Sequence, residues 1–190
     1  MDIGRLTARA VIGGLFVGHG TQKLFGWFGG PGIAGTEQMM GALDMRPTRA
    51  NAYAAGLTET AGGALLALGA ATPLAAAGLI GTMTTAIHKV HKPNGPWAAQ
   101  GGWEYNAVLI AALAALVEAG PGKLSVDAAL GHERWGTGWT VGAVAAGLAA
   151  SAAAVAIGRR GDGPVIPAQP TGPVAEATGE TAGDPVTVVD

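Results

Sequence analysis

Residues 86–106, AIHKVHKPNGPWAAQGGWEYN, gather two histidines, two lysines, a glutamate and two tryptophans inside a chain made mostly of alanine, glycine and leucine. Further polar side chains stand alone in apolar surroundings: His19, Gln22 and Lys23 near the start, and Glu59 in the middle of a second apolar run. Such types suit oxygen-rich or proton-carrying ligands. Lys23 and His19 would donate to carbonyl or anionic oxygens, and Glu59 would take or supply a coupled proton. His88-x-x-His91 has metal-ligand spacing, but two histidines at a helix end do not make a site, and no metal is expected. Lys89 and Lys92 fit terminal lysines that reach for headgroups. Trp27, Trp97 and Trp103 fit interfacial anchors.

The elements that must position these residues are apolar helices. The chain is 49% hydrophobic and 13% charged, with a mean hydropathy of +0.34, well away from the roughly 25% charged residues of soluble domains. A net charge of -2, with no basic run longer than Arg159-Arg160, argues against a nucleic-acid partner. The absence of cysteine excludes disulfides, thiolate-held iron–sulfur clusters and dithiol relays. Any redox chemistry must therefore use a bound cofactor.

Five apolar segments predict an all-α, polytopic membrane bundle: about Leu6–Phe28, Ala50–Ala71, Leu74–Val90, Glu104–Ala119 and Gly138–Ile157. The fourth is short and is expected to extend into the preceding Gly101-Gly102-Trp103. Between the first two, a short interfacial helix is predicted from Thr36, with Met39, Met40 and Leu43 on one face. Residues 161–190 carry five acids and no Lys or Arg, a composition that predicts disorder. Gly138-x-x-x-Gly142 and Gly147 offer a smooth face for close helix packing, which leaves homo-oligomerisation open.

Depth arithmetic relates these segments to the polar residues. His19 lies near the end of the first span and Glu59 equally far into the second, so both sit roughly 13 Å below one surface and can face each other. Gln22 and Lys23 follow one turn on, while His88, His91, Asn94, Glu104 and Tyr105 cluster where the third and fourth spans meet that surface. The opposite half of the bundle reads as dry. Ionisable groups at membrane depth are costly unless paired or hydrated, so the cluster is a candidate ligand site. A structural ion pair between Glu59 and Lys23 or His19 is the competing explanation. The cluster surface carries seven Lys and Arg residues against four on the other, which predicts an exterior N-terminus and a cytoplasmic cluster and tail.

GHGTQKLFGWFGGPG (18–32), GLTETAGGALLALGAATPLAA (56–76), HKVHKPNGPW (88–97), GGWEYN (101–106) and GPGKLSVDAALG (120–131) resemble, in order and spacing, the DoxX family of small integral membrane proteins. The resemblance covers about Arg5 to Gly131. It implies a four-helix membrane bundle, with members linked to thiosulfate:quinone oxidoreductase and to other membrane oxidoreductase complexes. It picks out His19, Gln22, Lys23, Gly26, Glu59, Gly62, Gly63, His88, Asn94, Gly95, Glu104 and Tyr105. The expected organisation is a DoxX-like domain over 1–131, an added transmembrane helix over 132–160 and the acidic tail over 161–190. The expected role is a redox-linked subunit of the plasma membrane that binds a quinone or a small sulfur oxyanion, with soluble or membrane oxidoreductase subunits as partners. No catalytic residue is assigned. A proton-linked carrier and a non-catalytic scaffold are the alternatives.

Overall fold

The computed structural model describes residues 2–132 and 134–160; the tail from 161 onward lies outside the described residues. Seven α-helices follow one another among them: α1 (Asp2–Phe25), α2 (Gly32–Ala42), α3 (Thr48–Leu68), α4 (Thr72–Ala86), α5 (Glu104–Ala119), the single turn α6 (Val126–Ala129) and α7 (Thr137–Gly158). A π-helical turn, Ile87–His91, prolongs α4. The architecture is all-helical.

Glycine sets the tightest helix contact. On α1, Gly13 and Gly20 alternate with Phe16 and Leu24 along one buried face, and opposite them stand Gly63 and Gly56 of α3. A Cβ on Gly13 would come within 2.5 Å of the Gly63 carbonyl, and one on Gly63 within 2.6 Å of the Gly13 carbonyl. The two backbones therefore touch, as small residues at helix crossings permit. Gly69 ends α3 at φ 64, and the bonds Gly69 N–H to Leu66 O and Ala70 N–H to Leu65 O complete a Schellman motif. A left-handed turn follows without delay into α4, whose early Pro73 needs no N–H partner.

Helix α4 is central, packing on α3, α5 and α7. The fully buried Leu66, Leu79, Ile80, Leu113 and Val117 fill the space between these helices. Gly147 of α7 rides over Ala77 and Ile80 of α4. Of the predicted smooth face, only Gly147 is used in this way, since Gly138 and Gly142 face open space.

Several boundaries differ from the sequence reading. Helix α1 stops at Phe25 because Gly26 turns left-handed at φ 74, so Trp27 and Phe28 lie beyond it. Helix α2 starts at Gly32, earlier than the predicted Thr36. Gly101-Gly102-Trp103 does not extend α5, because Gly102 and Trp103 instead donate backbone bonds to Trp97 and Gly95 in the preceding loop.

By length and composition, one helix among the described residues, Thr137–Gly158, is long and apolar enough to cross a membrane. Helices α4 and α5 have 15 and 16 residues, and α1 and α3 include charged or amide residues such as Arg9, Lys23, Asn51 and Glu59. Around the outside, Val11, Leu15, Leu57, Leu74, Val108 and Leu148 are nevertheless exposed.

Deleting 161–190 is expected to leave expression and thermal stability close to those of the full chain, because the segment holds too few large apolar residues to build a core. Circular dichroism melts of the two proteins check this, and a clear loss of folded protein would show that the tail docks.

Candidate functional site

Lys23 lies in the last turn of α1 and Glu59 midway along α3. The α1–α3 glycine contact sets them at one level, and Lys23 Nζ reaches Glu59 Oε2 at 2.5 Å. The Glu59 side chain is 6% exposed and that of Lys23 21%, so the carboxylate is held out of water while the ammonium keeps partial access. A charge-assisted bond of this length is among the stronger side-chain contacts.

Beside the pair opens a cavity of about 270 Å³, lined by residues of α1, α2, α3, α4, the π turn and α7. Its walls are mainly apolar: Met39 and Met40 of α2, Leu43 just after it, Ala55 of α3, and Ala150 and Ala154 of α7. Hydroxyls of Thr58, Thr82, Thr85 and Ser151 interrupt them, and Lys89 adds a second ammonium. Two hydrogen bonds tie the walls together. Thr36 Oγ1 donates to the Lys23 carbonyl at 3.1 Å and ties α2 to α1. Thr85 and Ser151 share a hydroxyl bond of 2.8 Å that ties α7 to α4. At the end of α7, Arg46 N–H donates to the Gly158 carbonyl at 3.0 Å.

The other predicted site residues do not join this cavity. His19 is exposed and its Nδ1 pairs with Gln22 Oε1 at 3.1 Å on the outer side of α1. The buried Gly13–Phe16–Gly20–Leu24 face turns toward α3 and leaves His19 facing outward, away from Glu59. His88 and Tyr105 are exposed. His91 Nδ1 and Asn94 Nδ2 both meet the Gly101 carbonyl, at 2.8 and 3.2 Å. Glu104 Oε1 accepts from Ala98 N–H at 2.8 Å. These three side chains thus fold the loop between α4 and α5 onto itself. Only the Lys23–Glu59 tie unites two of the predicted residues across helices.

The half read as dry is not so. Arg9, in α1, is 1% exposed, and its Nη2 donates to the Leu124 carbonyl at 2.6 Å. Asp127 of α6, 3% exposed, accepts from Ala71 N–H at 2.9 Å, Thr72 N–H at 3.0 Å and Thr72 Oγ1 at 2.9 Å. It therefore caps α4 from a distant part of the chain. Burial works to raise the Asp127 carboxyl, but the bonds from Thr72 and Ala71 and the nearby His132 outweigh it and hold the group below its usual value. Sequence reading missed both. Arg9 stands alone near the start of an apolar run, and no local spacing links Asp127 to Thr72. It also passed over the cavity role of the α2 methionines and of α7. The i, i+3/i+4 placement of Met39, Met40 and Leu43 marks one face of a short helix expected at the membrane interface, and in the structure these residues line the cavity.

Residues 4–92 match the DoxX family. No curated protein and no solved structure matches the chain. The matched stretch holds Lys23, Glu59, Lys89 and every other cavity residue except Ala150, Ser151 and Ala154 of α7.

Proposed function

We propose, from the match of residues 4–92 to the DoxX family, that the chain is a multi-pass, redox-linked membrane subunit. In this reading α1, α3, α4 with its π turn and α5 cross the bilayer as a four-helix unit, α7 crosses as a fifth helix, and the cavity beside Lys23 and Glu59 receives a quinone. Support for several crossings comes from the exposed aliphatic side chains on α1, α3, α4, α5 and α7. Exposed aromatic residues flank them: Phe25, Trp27, Phe28 and Trp97 at the Lys23 end, Trp135 and Trp139 at the other. Such an arrangement matches an apolar belt with interfacial aromatics.

The observation that carries the quinone reading is the pairing of a buried Lys–Glu bridge with a largely apolar cavity. Apolar walls with a few convergent polar groups are the usual form of a small-molecule site, and about 270 Å³ lies just below the usual range of such pockets. Lys23 would donate to a quinone carbonyl, and Glu59 would exchange the proton that accompanies reduction. The apolar walls would take the ring and the start of its tail. Soluble or membrane oxidoreductase subunits would supply or remove electrons. The carrier alternative would need a polar path to the far end. There Arg9 Nη2 donates to the Leu124 carbonyl and Asp127 is held by backbone groups of the α3–α4 turn, and no open polar path among the described residues joins them to the cavity. Purification in mild detergent with mass spectrometry of bound lipids tests the reading: a co-purifying quinone is expected, and its consistent absence together with no quinone binding would refute it.

Orientation follows from the Lys and Arg distribution, with Lys23, Arg46, Arg49, Lys89, Lys92, Arg159 and Arg160 at the cavity end. Fusions after Asp190 are therefore expected to show activity with a cytoplasmic reporter and none with an exterior one. The reverse pattern would invert the assignment.

A further inference from the structure

We infer that the same cavity accepts a single-chain amphiphile with one anionic oxygen head, such as a long-chain carboxylate, and that Lys89 is the residue that selects for the charge. This rests on the reading of the cavity as a ligand site but not on a quinone being its occupant. The argument begins with charge. Three ionisable side chains line the cavity: Lys23, Glu59 and Lys89. Lys23 and Glu59 satisfy each other at 2.5 Å. No carboxylate among the described residues pairs with Lys89. The cavity therefore carries one positive charge in excess, facing walls that are mainly methionine, leucine and alanine. A partly buried ammonium beside such walls is best matched by an anionic group that supplies a counter-charge. A neutral quinone head offers none.

Position points the same way. Lys89 sits on the π turn at the end of α4, next to the exposed Val90, so it marks the mouth of the cavity. A carboxylate held there would keep its head near the aqueous edge while its chain passed inward between the α2 methionines and Ala150 and Ala154 of α7. Thr85 and Thr82 lie on the same face of α4, one and two turns deeper, and with their hydroxyls bonded back to the Gly81 and Leu79 carbonyls they line the path of the chain. Methionine walls adapt to a flexible chain with little penalty. A ligand bound in this way would compete with a quinone for the cavity.

The test uses the full chain in phosphatidylcholine nanodiscs and two fluorescent probes, dansyl-aminoundecanoic acid and its methyl ester, with empty nanodiscs as the blank. The acid is expected to bind saturably and about tenfold more tightly than the ester, the scale of one charge-assisted hydrogen bond. Lys89→Gln should bring the acid down to the affinity of the ester, and Lys89→Arg should keep the preference, which separates charge from fold. Equal binding of acid and ester, a preference that survives Lys89→Gln, or no saturable binding of the acid would overturn the inference. A short-chain ubiquinone analogue added as competitor separates the two proposals. If it displaces nothing and binds nowhere while the acid prefers Lys89, the quinone reading fails alone; if it binds while the acid shows no preference, only this inference fails.

Discussion

Glu59→Gln is expected to abolish quinone binding and to lower stability, and Lys23→Met to do the same. Each leaves one member of a buried pair without its partner, a change that costs about 3 kcal/mol when the remaining charge stays buried. The partial exposure of Lys23 lets its ammonium turn toward water in Glu59→Gln, so that variant should be the milder of the two. The double variant Glu59→Gln with Lys23→Met removes both charges and is expected to recover most of the lost stability, since a neutral pair carries no uncompensated charge. Binding should not recover, because the proton-exchanging and donating groups are gone. Thermal unfolding and quinone titration on the three variants therefore separate the two roles. Recovery of stability and binding together in the double variant would reduce the pair to a structural tie.

Asp127→Ala is expected to be at least as damaging to stability while leaving the cavity residues untouched. The change removes the acceptor for Ala71 N–H, Thr72 N–H and the Thr72 hydroxyl, and it takes away the carboxylate near the buried Arg9. Unmet buried donors and a stranded buried charge together cost on the order of 3–5 kcal/mol. For a chain of this size that corresponds to roughly 10 °C in Tm. The folded carboxyl is held below the ordinary value near 4. Its stabilisation is therefore complete above about pH 4 and is lost as the pH falls below that toward the depressed folded value. Melts between neutral pH and about pH 3 should show the wild-type protein losing stability faster than Asp127→Asn, which has no carboxylate to protonate. Parallel loss in both would remove Asp127 from the account.

Much of this molecule could be read from its residues, and the failures have specific physical causes. Helices α5 and α7 came within a residue of their observed limits because abrupt glycine and charge boundaries enclose uniform apolar runs. The end of α1 was misplaced because Trp27 and Phe28 continue the apolar character after Gly26 has already broken the helix. Counting residues gave the depth of His19, Lys23 and Glu59 but not the direction each faces around its helix. Direction is decided by the glycines. Gly13 and Gly20 mark the side of α1 that meets α3, and their spacing is visible in the sequence. Lys23 reaches Glu59 from the rim of that face, whereas His19 does not. Arg9 and Asp127 depend on contacts across more than a hundred and about fifty positions of chain, to Leu124 and Thr72. No periodicity in a single sequence reports such pairings. The DoxX match ends at residue 92, so the wall that α7 contributes through Ala150, Ser151 and Ala154 became evident only from the packing.

Photolabelling with an azido-quinone, followed by peptide mapping, tests the central claim most directly. The account predicts label concentrated on the cavity-lining stretches 39–45, 54–59, 78–90 and 150–154, suppressed by excess unlabelled quinone and lost in the Glu59→Gln, Lys23→Met double variant. Label spread over the exposed outer faces of α1, α5 and α7, unaffected by competitor or by the double variant, would contradict it.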